Sequence, residues 1–324
     1  MNENKIKLAV SLYSFSSEFI NGVLDLEGIL KKVKEMGYQG IELVAAQMVP
    51  NYPYPADEWL EHLKCLLKKY DLTPVCWSAY IDRGLRSDRD LSEEEIIQYT
   101  LNDMIYAKKV GFPLVRSQHS ISPAIFKRML PYCQELGVKL TIEMHHPHHP
   151  EVPEWKEYIK ICKNEGRGWL GIVPDCGIFQ NHPHKLFLDQ AIELGFRSDV
   201  LKKVVELHGV DSPIQKVIEQ CGLTEAEIGV TKDMYSTFNH PAYVEQLKDL
   251  VDISPYIHGK FYYADEGEND NCIPYDSILK ELVRLGFDGY MACEYEGHHF
   301  TDCFEIDSAE QLKRYVDMHK RIIG

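Results

Sequence analysis

The chain has 324 residues, 44% of them hydrophobic, enough to bury a large core in one domain spanning 1–324. Its 50 Asp and Glu against 35 Lys and Arg give a formal charge of −15, which repels a phosphate backbone and argues against nucleic acid as a partner. Met1–Val10 lacks an apolar core with a cleavage-site pattern, and no run approaches the roughly 18 apolar residues a membrane span needs, so a cytoplasmic, soluble protein is expected.

Short β-rich stretches follow one another at Leu8–Phe15, Gly40–Ala45, Pro74–Ile81, Leu114–Ser120, Val138–His146, Trp169–Gly177, Tyr256–Tyr263 and Asp288–Tyr295. The segments between them carry helical periodicity and glycine stops, as in Leu26–Gly37, Glu94–Gly111, Ala124–Gly137 and Tyr275–Gly286. Eight such units predict a parallel α/β sheet closed into a (β/α)8 TIM barrel, and no phosphate-binding glycine fingerprint points to an open doubly wound sheet. The rhythm breaks between Leu186 and His240, where helical stretches at Leu188–Phe196, Asp199–Leu207 and Ser212–Gly222 predict a helical insertion before the seventh strand. Nine cysteines, odd in number and without a Cys-x-x-Cys pair, read as reduced and mostly buried thiols.

The period of two along a strand sets which side chains share the barrel interior. It groups Thr141, Glu143 and His145, with Ile142 and Met144 facing the helices; it groups Tyr256, His258 and Lys260, and likewise Ala292, Glu294 and Glu296. Asp175 is the acid at the C-terminal end of the sixth strand, the end where barrel chemistry sits, and Cys176 points away. Glu143, Asp175, His258 and Glu294 thus form a candidate metal site. Crowded carboxylates need a cation, and three carboxylates with one imidazole suit Mn2+ first, with Mg2+ or another divalent ion as alternatives.

The stretches LTIEMHH (140–146), PDCGIF (174–179), IHGKFYY (257–263) and ACEYEGHH (292–299) resemble the strand-end motifs of the xylose isomerase-like barrel superfamily of sugar isomerases and epimerases. The resemblance covers essentially the whole chain, and it places the family's metal ligands on the same four residues. Within the superfamily the chain is similar to the large subunit of bacterial C-glycoside deglycosidases. That likeness implies a Mn2+-dependent carbon–carbon lyase acting on a C-glycoside already oxidised at sugar C3, working in a hetero-oligomer with a small β-subunit. A metal-dependent isomerase or ketose epimerase is the alternative. Ile178 stands where many members carry a second histidine, so that additional substrate or metal contact is absent, and Lys260–Asp276 lacks the arginine that typical ketose 3-epimerases carry after the seventh strand, which weighs against the epimerase.

Elimination from a 3-ketone requires a base for the C2 proton. His145, two residues beyond Glu143 on the same face, is the candidate. Lys260 is a second candidate catalytic residue, able to steady a sugar oxygen or to pair with a carboxylate. Tyr13, Trp77, His119 and Tyr295 are candidates for the pocket lining, with core packing the competing role. His146, His148 and His149 lie in the loop after the fifth strand, and His298 and His299, which follow the last, are candidates for an acid or a partner contact.

Overall fold

The strands form where apolar, β-branched runs are uninterrupted: β1 (Lys7–Ser11), β2 (Gly40–Val44), β3 (Thr73–Ser78), β4 (Leu114–Ser117), β5 (Lys139–Met144), β6 (Leu170–Pro174), β7 (Tyr256–Phe261) and β8 (Tyr290–Tyr295). They belong to a computed structural model that describes residues 5–81, 83–118, 121–239, 242–267, 269–301 and 306–324. All pairings are parallel, in the order β6-β5-β4-β3-β2-β1-β8-β7, giving a nearly closed (β/α)8 barrel. The eight predicted strands are all present. Several end earlier than predicted because 3-10 turns take over at their exits, at Leu12–Phe15 after β1 and at Cys176–Phe179 after β6. His119 and Ser120, the predicted end of the fourth strand, lie outside the described residues.

The ring is closed by a ladder everywhere except between β6 and β7. Among the described residues these two strands are joined by one isolated parallel bridge, between Asp175 and His258. Below that bridge the chain leading into β7 crowds against β6. A Cβ on Gly171 would lie 2.8 Å from the Ile253 carbonyl oxygen, so a glycine is what permits the approach.

The predicted glycine stops appear as left-handed residues at Gly37, Gly111, Gly137 and Gly286. The stretch Ala124–Gly137 is two helices, Pro123–Arg128 and Leu130–Leu136, rather than one. The insertion is helical as expected but holds four helices among the described residues: Lys185–Glu193, Ser198–His208, Ile214–Cys221 and Glu225–Thr237. The last was missed, although Thr224 and Glu227 form a capping box at its start. Its exit returns to the strand ends, where Gln180 donates to the Thr237 carbonyl and His146 Nε2 lies 3.4 Å from Asn239 Oδ1.

The main core lies between strands and helices and includes Leu43, Trp77, Ile142, Met144 and Cys176. A smaller cluster, with Ala9, Leu114, Val173, Tyr256 and Ala292, fills the barrel itself. Each of these five precedes by two positions a polar residue: Ser11, Arg116, Asp175, His258 and Glu294. The interior is therefore apolar toward the strand starts and charged toward the strand ends. The described cysteines are free thiols, most of them buried, and no described helix is long and apolar enough to cross a membrane.

Candidate metal centre

Glu143, Asp175, His258 and Glu294 are all buried, and one donor atom from each lies within 4.8 Å of the others. His258 Nδ1 stands 2.8 Å from Glu143 Oε1, 3.4 Å from Glu294 Oε2 and 3.8 Å from Asp175 Oδ2. Despite that crowding, Nδ1 makes no hydrogen bond, and Asp175 Oδ2 is another buried atom without one. Buried polar atoms are normally satisfied, so donors that converge without pairing mark a place for a shared partner. Ligands about 2.1 Å from a divalent ion sit roughly 3 to 4 Å apart, which matches this spacing.

Charge leads to the same conclusion. Five carboxyl groups, Glu42, Glu143, Asp175, Glu294 and Glu296, face Arg116, Lys260 and the His258 ring, an excess of acid over base that a divalent cation offsets. Burial opposes charge on His258, yet Glu42, Glu294 and Glu143 hold its pKa well above the ordinary histidine value. Burial likewise pushes the Glu143 and Asp175 carboxyls up. Arg116 and His258 overcome it at Glu143, and Lys260 and His258 overcome it at Asp175, so both stay below the usual carboxylate range. The residues therefore fit a hard divalent ion.

Local chemistry aims Asp175. Its Oδ1 caps the following 3-10 turn by accepting from the Gly177 amide at 2.6 Å, which leaves Oδ2 turned to the cluster. A Cβ at Gly177 would meet Oδ1 at 2.7 Å and the Lys260 side chain at 3.0 Å, so the glycine two residues after Asp175 is favoured by space. Lys260 Nζ lies 3.4 Å from Asp175 Oδ2 and 3.2 Å from Glu296 Oε1. Burial raises the Glu296 pKa to about 7, helped by Glu294 and Asp175 and opposed by Lys260.

Two charged residues of the centre escaped the sequence reading, Glu42 on β2 and Arg116 on β4. Arg116 Nη2 is 2.8 Å from Glu42 Oε1 and its Nη1 is 2.5 Å from Glu143 Oε2; Glu42 Oε2 is 2.6 Å from His258 Nε2. The signal was available: each is the sole charge in an otherwise apolar or neutral strand, GIELV and LVRS, and an unpaired charge does not stay there.

Glu143 and Glu294 open onto a cavity of about 490 Å³ that is also lined by Tyr13, Tyr80, Gln118, His145, Lys260 and Glu296. His145 and Lys260 are thus both brought to the pocket. His145 sits just past the end of β5, and its Nδ1 donates to the His146 carbonyl at 2.6 Å, which puts the lone pair of the neutral ring on Nε2. Tyr13 lines the cavity as expected and reaches His299. Trp77 and Tyr295 take the competing core-packing role. Trp77 is fully buried on the helix side, donating to Asp103 at 2.8 Å, and Tyr295 packs in the outer core against Phe261. His119 falls outside the described residues. His148 packs on Trp155, His146 turns to the insertion, and neither they nor His149 line this cavity.

Comparison with known proteins agrees with the fold. The chain is 26% identical to the 3'-dehydrocarminate deglycosidase alpha subunit of a Microbacterium species, over 93% of this chain and 92% of that one. It is 25% identical to a C-glycoside deglycosidase alpha subunit of Arthrobacter globiformis, over 98% and 92%. Among solved structures, a D-psicose 3-epimerase from Clostridium cellulolyticum with D-tagatose superposes with a TM-score of 0.62 at 10% identity, covering 98% of this chain and 99% of that one. An IolI protein with a bound zinc atom gives 0.59 at 14% identity, covering 98% of each. The family model for the xylose isomerase-like TIM barrel matches residues 30–322, and the chain belongs to that family.

Proposed function

We propose that this protein is the catalytic subunit of a metal-dependent carbon–carbon lyase that releases the aglycone from 3-oxo-C-glycosides. The observation that carries the reading is the position of the His145 imidazole on the wall of the cavity onto which Glu143 and Glu294 open. Full-length likeness to deglycosidase alpha subunits supports it. Glu143, Asp175, His258 and Glu294 would hold the ion, with Mn2+ the first choice for so oxygen-rich a set. Such an ion supplies a Lewis acid that stabilises negative charge on the ketone oxygen.

The chain's own residues supply the proton handling. His145 Nε2 takes the proton from sugar C2, which the C3 ketone acidifies, and the C–H electrons form an enolate. Return of the carbonyl moves that electron pair into a C1–C2 double bond. The bond from C1 to the aglycone then breaks with its electrons on the aglycone carbon, which takes up a proton. Lys260, held between Asp175 and Glu296, places a positive charge at the cavity wall where an enolate or a sugar oxygen lies.

The relatives' designation as alpha subunits supports a companion small β-subunit here. Apolar side chains stand exposed on the loops after β1, β2 and β3 (Ile20, Val23, Tyr54, Leu85) and on the insertion (Leu194, Val210), surfaces of the kind a partner covers. The test is an assay of the Mn2+-loaded protein, with and without such a subunit, on a 3-oxo-C-glycoside and on free ketoses. Release of the aglycone is expected. Epimerised ketose without aglycone release overturns the lyase reading in favour of an isomerase or epimerase.

A further inference from the structure

Glu42 and Arg116 are 0% and 1% exposed, yet neither contributes an atom to the convergent donor set. Burying two charges is costly unless they are paired, and a simple pair would end with each other. These do not. Arg116 reaches past Glu42 to Glu143 Oε2, while Glu42 uses Oε1 for Arg116 and turns Oε2 to His258 Nε2 at 2.6 Å. Glu143 and His258 are each gripped from behind as a result. Glu143 presents Oε1 and His258 presents Nδ1 to the cluster, 2.8 Å apart, and their remaining polar atoms are taken.

An ionised carboxylate only accepts hydrogen bonds, so Glu42 requires a hydrogen on His258 Nε2. Without an ion the ring, set between Glu42 and Glu143, favours a hydrogen on both nitrogens; an ion would displace the one on Nδ1, the atom that faces Glu143, Asp175 and Glu294, and leave the one that Glu42 holds on Nε2. We propose that Glu42 and Arg116 are positioning residues of the metal centre: Glu42 sets the metal-facing tautomer of His258, and Arg116 engages Glu143 Oε2 and leaves Oε1 facing the cluster. The inference rests on the metal reading above. It adds that two of the proposed ligands are oriented from β2 and β4, strands that supply no ligand themselves. Arg116 spans both carboxylates with separate nitrogens, which a lysine ammonium cannot reproduce.

The test uses full-length protein stripped with chelator and titrated with Mn2+, following free Mn2+ by electron paramagnetic resonance, in wild type, Glu42→Gln and Glu42→Ala. Glu42→Ala is expected to bind about 10- to 100-fold more weakly. Glu42→Gln, whose amide oxygen still accepts from Nε2, recovers part of that loss. Alongside, 15N-histidine spectra of the Zn2+-loaded wild type, with the His258 signals assigned by their loss in His258→Gln, should report a ligated Nδ1 and a protonated Nε2. Ligation through Nε2, or unchanged Mn2+ affinity in both folded variants, overturns the proposal. Should the variants not fold, the wild-type tautomer alone decides it. Failure of the wild type to take up either ion overturns the metal reading itself, an outcome distinct from a loss confined to the variants.

Discussion

Tyr13 and His299 meet at the cavity mouth with the phenol oxygen 3.0 Å from Nε2, although 286 positions separate them in the chain. Tyr13 lines the 490 Å³ cavity, and His299 lines a groove of about 830 Å³, which makes this pair a candidate wall between the two. Burial and the nearby Glu296 raise the Tyr13 pKa, which keeps the phenol protonated and able to donate. His299→Ala should join the two spaces. The expected outcome is a rise in kcat/KM for C-glycosides with extended aglycones relative to compact ones; an unchanged ratio rejects the wall.

Removing a cluster carboxylate should remove the ion with it. Glu143→Ala and Asp175→Ala are expected to lose metal content and activity together, measured by elemental analysis and turnover. An ion present at 100 times its Kd adds about 2.7 kcal/mol to stability. Chelator should therefore lower the melting temperature of the wild type and leave these variants unmoved.

His145 is assigned a proton, not the ion. His145→Ala should keep its metal while aglycone release falls by about 10² to 10⁴. Equal loss of metal and turnover would recast His145 as a ligand.

A buried carboxyl far from the cavity gives a pH signature of its own. Asp103 accepts from Trp77 Nε1 at 2.8 Å and from the Tyr52 hydroxyl at 2.9 Å, and burial, only partly offset by these bonds, raises its pKa to about 7. A carboxyl raised on folding holds its proton more tightly in the folded state. Its contribution is complete below about pH 4 and is lost as pH rises toward 7, roughly 4 kcal/mol in all. Asp103→Asn should flatten that part of the stability profile in urea titrations run across this window.

The strands and the four convergent donors were legible because each announces itself locally: an apolar run with an acid or histidine at its inward end. Glu42 and Arg116 were not, since each looks like an ordinary isolated charge until four strands are drawn together around it. Spacing placed Trp77 and Tyr295 near strand ends, and the same alternation that turns Glu294 inward sends Tyr295 to the helix side, where it packs in the outer core. The helix Glu225–Thr237 was hidden because its periodicity is weak, and its capping box was the better clue. The pocket's contents follow from loops, whose shapes depend on contacts such as His146 with Asn239 that no local pattern encodes.

The incomplete seam between β6 and β7 gives the proposed ion a mechanical role. Asp175 and His258 form the one backbone bridge between those strands among the described residues, and both belong to the convergent donor set. A cation held there is a clasp on the barrel's wall, tying a hoop at its single unlaced point. Loading and fastening are then the same event: amides of Leu170–Val173 and Tyr256–Phe261 should exchange faster with solvent deuterium once chelator has removed the ion, while those of β2 and β3, laced on both sides, keep their pace.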